Sequence, residues 1–145
     1  MSLQTDIIFF RAIKADEYIA AVTEGRIYNT AIPLPDEDAA NVPLPYIVVS
    51  FDGLINDTST KDSFEGYSDN VQISVEIAAT TRPQLATLTT YARAAISRFF
   101  AELPSWDEDY DLVPEDYSFS AGPVNYDSMK PGYWQVLSYS CDTNV

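Results

Sequence analysis

From Asn70 to Ala79 apolar and polar residues alternate. Val71, Ile73, Val75, Ile77 and Ala79 share one side, and Gln72, Ser74 and Glu76 share the other. A period of two predicts a strand with one dry face and one wet or interfacial face. The period then changes. Thr80-Thr81-Arg82-Pro83 offers a Thr cap followed by proline in a first turn, a helix start signal. Leu85, Leu88, Ala92, Ala95, Ile96, Phe99 and Leu103 recur at three- and four-residue steps until Pro104 stops them. This stripe predicts a long helix lying on the dry face of the sheet.

Weaker patterns flank this pair. Leu3 to Lys14 carries Ile7, Ile8, Phe10 and Ile13 and reads as a short helix with a broad apolar face. Asp16 is placed to cap a second helical turn that buries Ile19 and Val22, and Gly25 fits the left-handed stop. Ile27 and Tyr28 begin an extended piece. Residues 29–45 read as a connector, because Pro33, Pro35, Pro43 and Pro45 withhold ladder donors. Tyr46 to Phe51 is an apolar, β-rich run suited to a central strand. Residues 52–69 are polar, with two isolated aromatics, Phe64 and Tyr67, and read as a hairpin arm or a loop. Tyr117 to Tyr126 and Tyr133 to Cys141 read as two closing strands around a Pro131-Gly132 turn. The expected fold class is α+β: a single domain over residues 1–145, with a mostly antiparallel sheet of four to five strands packed on one long helix and a short N-terminal helical region.

Charge narrows the partners. The 145 residues hold 22 acids against eight bases, a net charge of −14. Such a chain repels nucleic-acid phosphates and anionic membranes, so specific nucleic-acid binding and membrane docking are not expected. No apolar run approaches the roughly 20 residues that span a bilayer, and the opening lacks a basic leader and a small-residue cleavage site. A single cysteine, Cys141, excludes an intrachain disulfide.

Candidate chemistry is sparse. There is no histidine, which removes the commonest general base and most zinc sites. Cys141, in an alternating strand, reads as a buried inert thiol. Asp107-Glu108-Asp109-Tyr110-Asp111 opens like a calcium loop, but Leu112 stands where glycine is needed and Ser118 where glutamate is needed. Nothing fixes the separation that paired catalytic carboxylates require. Tyr-rich strands offer stacking surfaces without the basic groove that single-stranded nucleic acid needs. No enzymatic activity, cofactor or metal is expected, and residues 104–117 read as a solvated acidic loop.

In serial order, several segments together resemble the tail-completion proteins of long-tailed bacteriophages, also called tail terminators or head–tail joining proteins. They are the helical opening into Gly25-Arg26-Ile27-Tyr28, then Leu44-Pro45-Tyr46-Ile47-Val48-Val49, the strand Val71 to Ala79, the helix Leu85 to Leu103, and the strand after Gly132-Tyr133-Trp134. The acid-rich stretch from Ser105 to Tyr117 is longer, and the net charge more extreme, than that family's pattern. The resemblance implies a structural virion protein of a phage or prophage. It would form a ring, usually of six copies, that terminates the tail tube and joins it to the head. It also implies contact with the tail-tube and head-completion proteins, and a place at the tail–head junction after assembly in the bacterial cytoplasm. Phe64 and Tyr67 would then reach a neighbouring subunit. Some of Asp107, Glu108, Asp109 and Asp111 would face the lumen, repelling DNA within the screening distance of about 8 Å; a place on the outer rim is the alternative. A head-completion, adaptor or other minor tail protein is the nearest alternative. A monomeric acidic module that binds a ligand or cation is the alternative of another class.

Overall fold

The computed structural model describes residues 5–32, 42–56, 68–102, 112–128 and 131–144. Among them are three helices, α1 (Thr5–Lys14), α2 (Glu17–Thr23) and α3 (Arg82–Glu102), and six strands. The strands are β1 (Ile27–Asn29), β2 (Tyr46–Asn56), β3 (Ser68–Ala79), β4 (Leu112–Ala121), β5 (Asn125–Asp127) and β6 (Gly132–Asn144). They form one mixed sheet in the order β1-β2-β3-β6-β4, with β5 also paired to β6. The class is α+β, but the sheet has more strands than expected and is not purely antiparallel. The reason is Ile27 to Asn29. They pair parallel to Ile47 to Val49, and the connector supplies the crossover that a parallel pair requires.

The expected boundaries shift in three places. Residues 52–56 and 68–69 are paired strand, so β2 and β3 extend as a hairpin beyond the predicted run. A register shift between Phe51 and Gly53 lets Asp52 bulge out. Residues 112–117 belong to β4 rather than to an acidic loop, and the strand expected over 117–126 divides into β4 and β5.

Local chemistry explains the helix ends. Asp16 caps α2, accepting a hydrogen bond from the Ile19 N–H at 2.9 Å. The stop takes two left-handed residues in place of one: Glu24 (φ 54°) precedes Gly25 (φ 78°), and the Gly25 N–H reaches the Ala20 carbonyl at 3.1 Å. At α3, Thr81 Oγ1 accepts from the Gln84 N–H at 3.3 Å, while Gln84 Oε1 accepts from the Thr80 N–H at 2.9 Å.

One apolar cluster joins helices and sheet. Val71, Ile73, Val75, Ile77 and Ala79 of β3 meet Ile47 and Val49 of β2 and Leu137, Tyr139 and Cys141 of β6. On the helical side the cluster takes Leu85, Leu88, Ala92, Ile96 and Phe100 from α3, and Ile8, Phe9, Ala12 and Ile13 from α1. The cover is therefore shared: α1 touches β1, β2 and β3, whereas α3 touches β3, β4 and β6. The expected stripe errs at its C-terminal end. Phe100 is 1% exposed, whereas Phe99 is only partly buried and Leu103 lies outside the described residues.

Aromatic rings close the β4 end of this layer. Tyr139 stands 5.1 Å from Phe9, 5.1 Å from Phe119 and 5.9 Å from Tyr117, centroid to centroid. Phe100 adds contacts to Phe9 at 5.5 Å and to Tyr117 at 4.8 Å. Offset and tilted pairs of this kind favour a single geometry. Phe100→Ala is expected to cost about 3–5 kcal/mol, and Phe99→Ala roughly 1 kcal/mol, in urea denaturation. Equal losses would show that the two rings are buried alike.

Candidate functional site

Two segments singled out by their sequence, 25–28 and 44–49, meet through Arg26. Its Nε donates to the Pro45 carbonyl at 3.1 Å, and a terminal nitrogen donates to the Leu44 carbonyl at 3.4 Å. Another terminal nitrogen pairs with Glu24 at 2.9 Å. The Ile47 N–H returns a bond to the Arg26 carbonyl at 3.0 Å. Arg26 thus ties both ends of the connector to the start of the β1–β2 pair. Three residues on, Asn29 Nδ2 donates to Asp6 at 2.9 Å and to the Val49 carbonyl at 3.2 Å, fastening α1 to the sheet edge.

The sheet face turned away from the helices is small and polar. Ser50, Ser74, Ser138 and Ser120 stand side by side across four strands. The next rows carry a network. Gln72 Nε2 donates to Ser140 Oγ at 3.0 Å, Ser140 Oγ donates to Asn70 Oδ1 at 3.0 Å, and Asn70 Nδ2 donates to Asp142 at 3.0 Å. Gln72 Nε2 also bonds Asn70 Oδ1. Ser74 Oγ donates to Asp52, the bulged residue, at 3.1 Å. The sequence pattern placed Gln72 and Ser74 on one face. It did not show that serines of four strands would align, because that depends on register.

At the other end this face holds a recess of about 160 Å³ lined by Leu44, Tyr46, Glu76, Ala78, Asp127, Gly132, Tyr133 and Trp134. Burial pushes the Glu76 carboxyl above the ordinary glutamate range. Burial first, then the negative charges of Glu76 and Asp127, raise the Tyr46 hydroxyl. Tyr126 packs on Tyr133 at 5.1 Å, and Tyr126 and Trp134 rank among the exposed large rings. Exposed aromatics beside half-buried polar groups suit contact with another protein surface.

On the helical side Tyr18 and Tyr91 stack at 4.1 Å, and both are exposed. They border a depression floored by Ala12, Ala15 and Ala95 and edged by the Arg98–Asp16 ion pair at 3.3 Å. Nearer β4, the Arg93 guanidinium lies 4.4 Å over the Phe119 ring. Beneath, the Tyr139 hydroxyl is buried with no hydrogen-bond partner. Burial raises it furthest, Tyr117 and Cys141 raise it further, and the positive Arg93 pulls it down.

The residues expected to carry assembly, Phe64 and Tyr67 on the arm and Asp107, Glu108, Asp109 and Asp111 on the acidic stretch, lie outside the described residues. Among the described residues no group of three metal-ligating side chains converges, and no helix is long and apolar enough to cross a membrane. Cys141 is fully buried in the core, as its place in the alternation implied. What this region presents is surface: an aromatic recess, a serine field, and an arginine resting on a ring.

The chain matches no protein-family model and no curated protein sequence. Its fold is similar to that of a chain in a structure described as the virion of a native gene transfer agent (GTA) particle. The TM-score is 0.60 at 15% identity, over 97% of this chain and 94% of that one. The two share an architecture along nearly their whole lengths.

Two substitutions probe the groups whose protonation is displaced. The raised Glu76 value means that ionisation opposes folding. The neutral form's advantage is complete below the ordinary glutamate range and is lost as pH rises through the raised value. Glu76→Gln is therefore expected to melt above the unmodified protein at pH 7. The gap should close on acidification below about pH 4, read by thermal denaturation across pH. Tyr139→Phe keeps the ring contacts and removes an unsatisfied buried hydroxyl. It is expected to stabilise by about 1 kcal/mol in chemical denaturation.

Proposed function

We propose that this protein is a structural component of a phage or phage-derived virion. Copies of it close into a ring, of six subunits on this reading, that terminates the tail tube and joins it to the head. It works without catalysis or a cofactor. The observation that carries the reading is full-length similarity of fold to a chain of a virion particle. The serial order of segments resembling tail-completion proteins points the same way.

The surfaces suit this role. A ring built from one kind of subunit needs two different patches per copy, so that each contact repeats head to tail. The serine field with its aromatic recess, and the helical side with its stacked tyrosines, are two such dissimilar patches. The net charge of −14 supports a passage that DNA crosses without adhering. Asp107, Glu108, Asp109 and Asp111 are the proposed lining, and Phe64 and Tyr67 the proposed reach to the next subunit.

Deleting the gene from its phage or prophage is expected to leave heads and tails that do not join. Restoring the protein should produce rings at the tube end, seen by electron microscopy and weighed by native mass spectrometry. Intact, infectious particles without the protein would overturn the reading, and rings found only on heads would move it to the head side of the joint. Changing the four lining acids to Asn or Gln is expected to slow DNA ejection; an unchanged rate would remove them from the lumen.

A further inference from the structure

We propose that the cleft between α3 and the outer edge of β4 receives an extended segment of another protein. The segment adds as a strand, with one of its Asp or Glu side chains paired to Arg93. This does not depend on the ring reading. Three observations lead to it.

The first is the edge. Among the described residues β4 ends the strand order, with β6 on its inner side. Every second residue of such a strand turns its N–H and C=O away from the sheet. Among the described residues, these outward groups have no hydrogen-bond partner from Tyr117 to Ala121; just beyond, the Gly122 N–H points inward to the Val136 carbonyl of β6 at 2.9 Å. Bare edges of this kind are templates for an added strand.

The second is the space beside that edge. A cleft of about 510 Å³ opens there, lined by Arg93, Ser97, Phe100, Ala101, Tyr117 and Phe119. Its two polar members, Arg93 and Ser97, lie one helical turn apart on α3 and so share a face. Its floor is aromatic. Polar groups above an apolar floor suit a strand whose side chains alternate in character.

The third is charge. Among the described residues Arg93 has no ion pair and no hydrogen bond. Of the five described arginines, Arg26 and Arg98 have a carboxylate partner and Arg11, Arg82 and Arg93 have none among the described residues; Arg93 is the one of these three that lines a cleft. Arg93 instead rests on the Phe119 ring. A stacked guanidinium keeps its N–H edge available for a two-pronged bond to a carboxylate. An incoming segment with a basic residue at that position would meet like charge, so the occupant is acidic.

The test uses the full chain, isotope-labelled, and two blocked hexapeptides: one alternating valine with glutamate, the other valine with lysine. The glutamate peptide is expected to slow amide exchange in the outward half of Tyr117–Ala121. Arg93→Gln should weaken its binding about tenfold, the loss of about one charge-assisted bond, with the circular dichroism spectrum unchanged and only the small fall in melting temperature that losing the Phe119 contact brings. Arg93→Lys should restore part of the binding. Methylating the peptide's alternate backbone nitrogens should abolish binding to the unmodified protein. Equal binding of the lysine peptide, protection elsewhere than on β4, indifference to Arg93→Gln, or no binding at millimolar peptide would each overturn the proposal.

Discussion

Tyr139 stands where four elements meet, and the rest of the structure is arranged around satisfying that junction. Its ring touches Phe9 of α1 and Phe119 and Tyr117 of β4 while its backbone belongs to β6, and Phe100 of α3 bridges Phe9 and Tyr117. An aromatic cluster tolerates few geometries, so the angle of α1 against α3 and the position of β4 are fixed together. The cost is visible too. A hydroxyl is carried into the interior without a partner, which a phenylalanine would have avoided. The inner face reads Val71, Ile73, Val75 and Ile77 in β3, with Leu137 and Cys141 flanking Tyr139 in β6. Where that face meets a polar residue, Gln135, it is satisfied by Thr89 and by the Gly122 carbonyl.

The two sheet faces obey different rules. The inner face is solved by packing; the outer one is solved by hydrogen bonds among short side chains. Aligned serines and an amide network leave a surface that is flat and needs no covering to be stable. The larger rings gather at one end of that face and along the helix seam. Such a division settles stability inside and leaves the larger exposed rings at the margins.

Much of the frame was legible in the residues. The strict alternation of β3, the Thr81 cap with Pro83, and the Asp16 cap each depend on neighbours a few positions away, and each appears where it was expected. The failures have physical causes. A three-residue strand such as Ile27–Asn29 carries too short a pattern to show that it pairs, or in which direction. Phe99 and Phe100 both fit a helical stripe to within one position, and only the sheet below decides which is buried. Acidic composition suggested a loop at 112–117, whereas pairing to β6 makes it strand. Arg26 stood in a segment that the resemblance singled out, but its bonding was not legible, because its acceptors are carbonyls 18 and 19 residues away. Arg93 was silent for a similar reason: its ring comes from another element. The sites inferred from likeness, Phe64, Tyr67 and the acids at 107–111, fall outside the described residues.

The pairing of β3 with β6 joins residues as distant as Ile73 and Tyr139. The helix and the acid-rich stretch between them must be made before the middle strand gains its second neighbour. During synthesis, then, β2 and β3 wait as a hairpin whose exposed edge is apolar on one side. Contacts of such long range form slowly, because loop closure precedes any reward. An interval of this kind leaves nascent chains open to joining each other wrongly. The net charge of −14 opposes such encounters between unfinished chains.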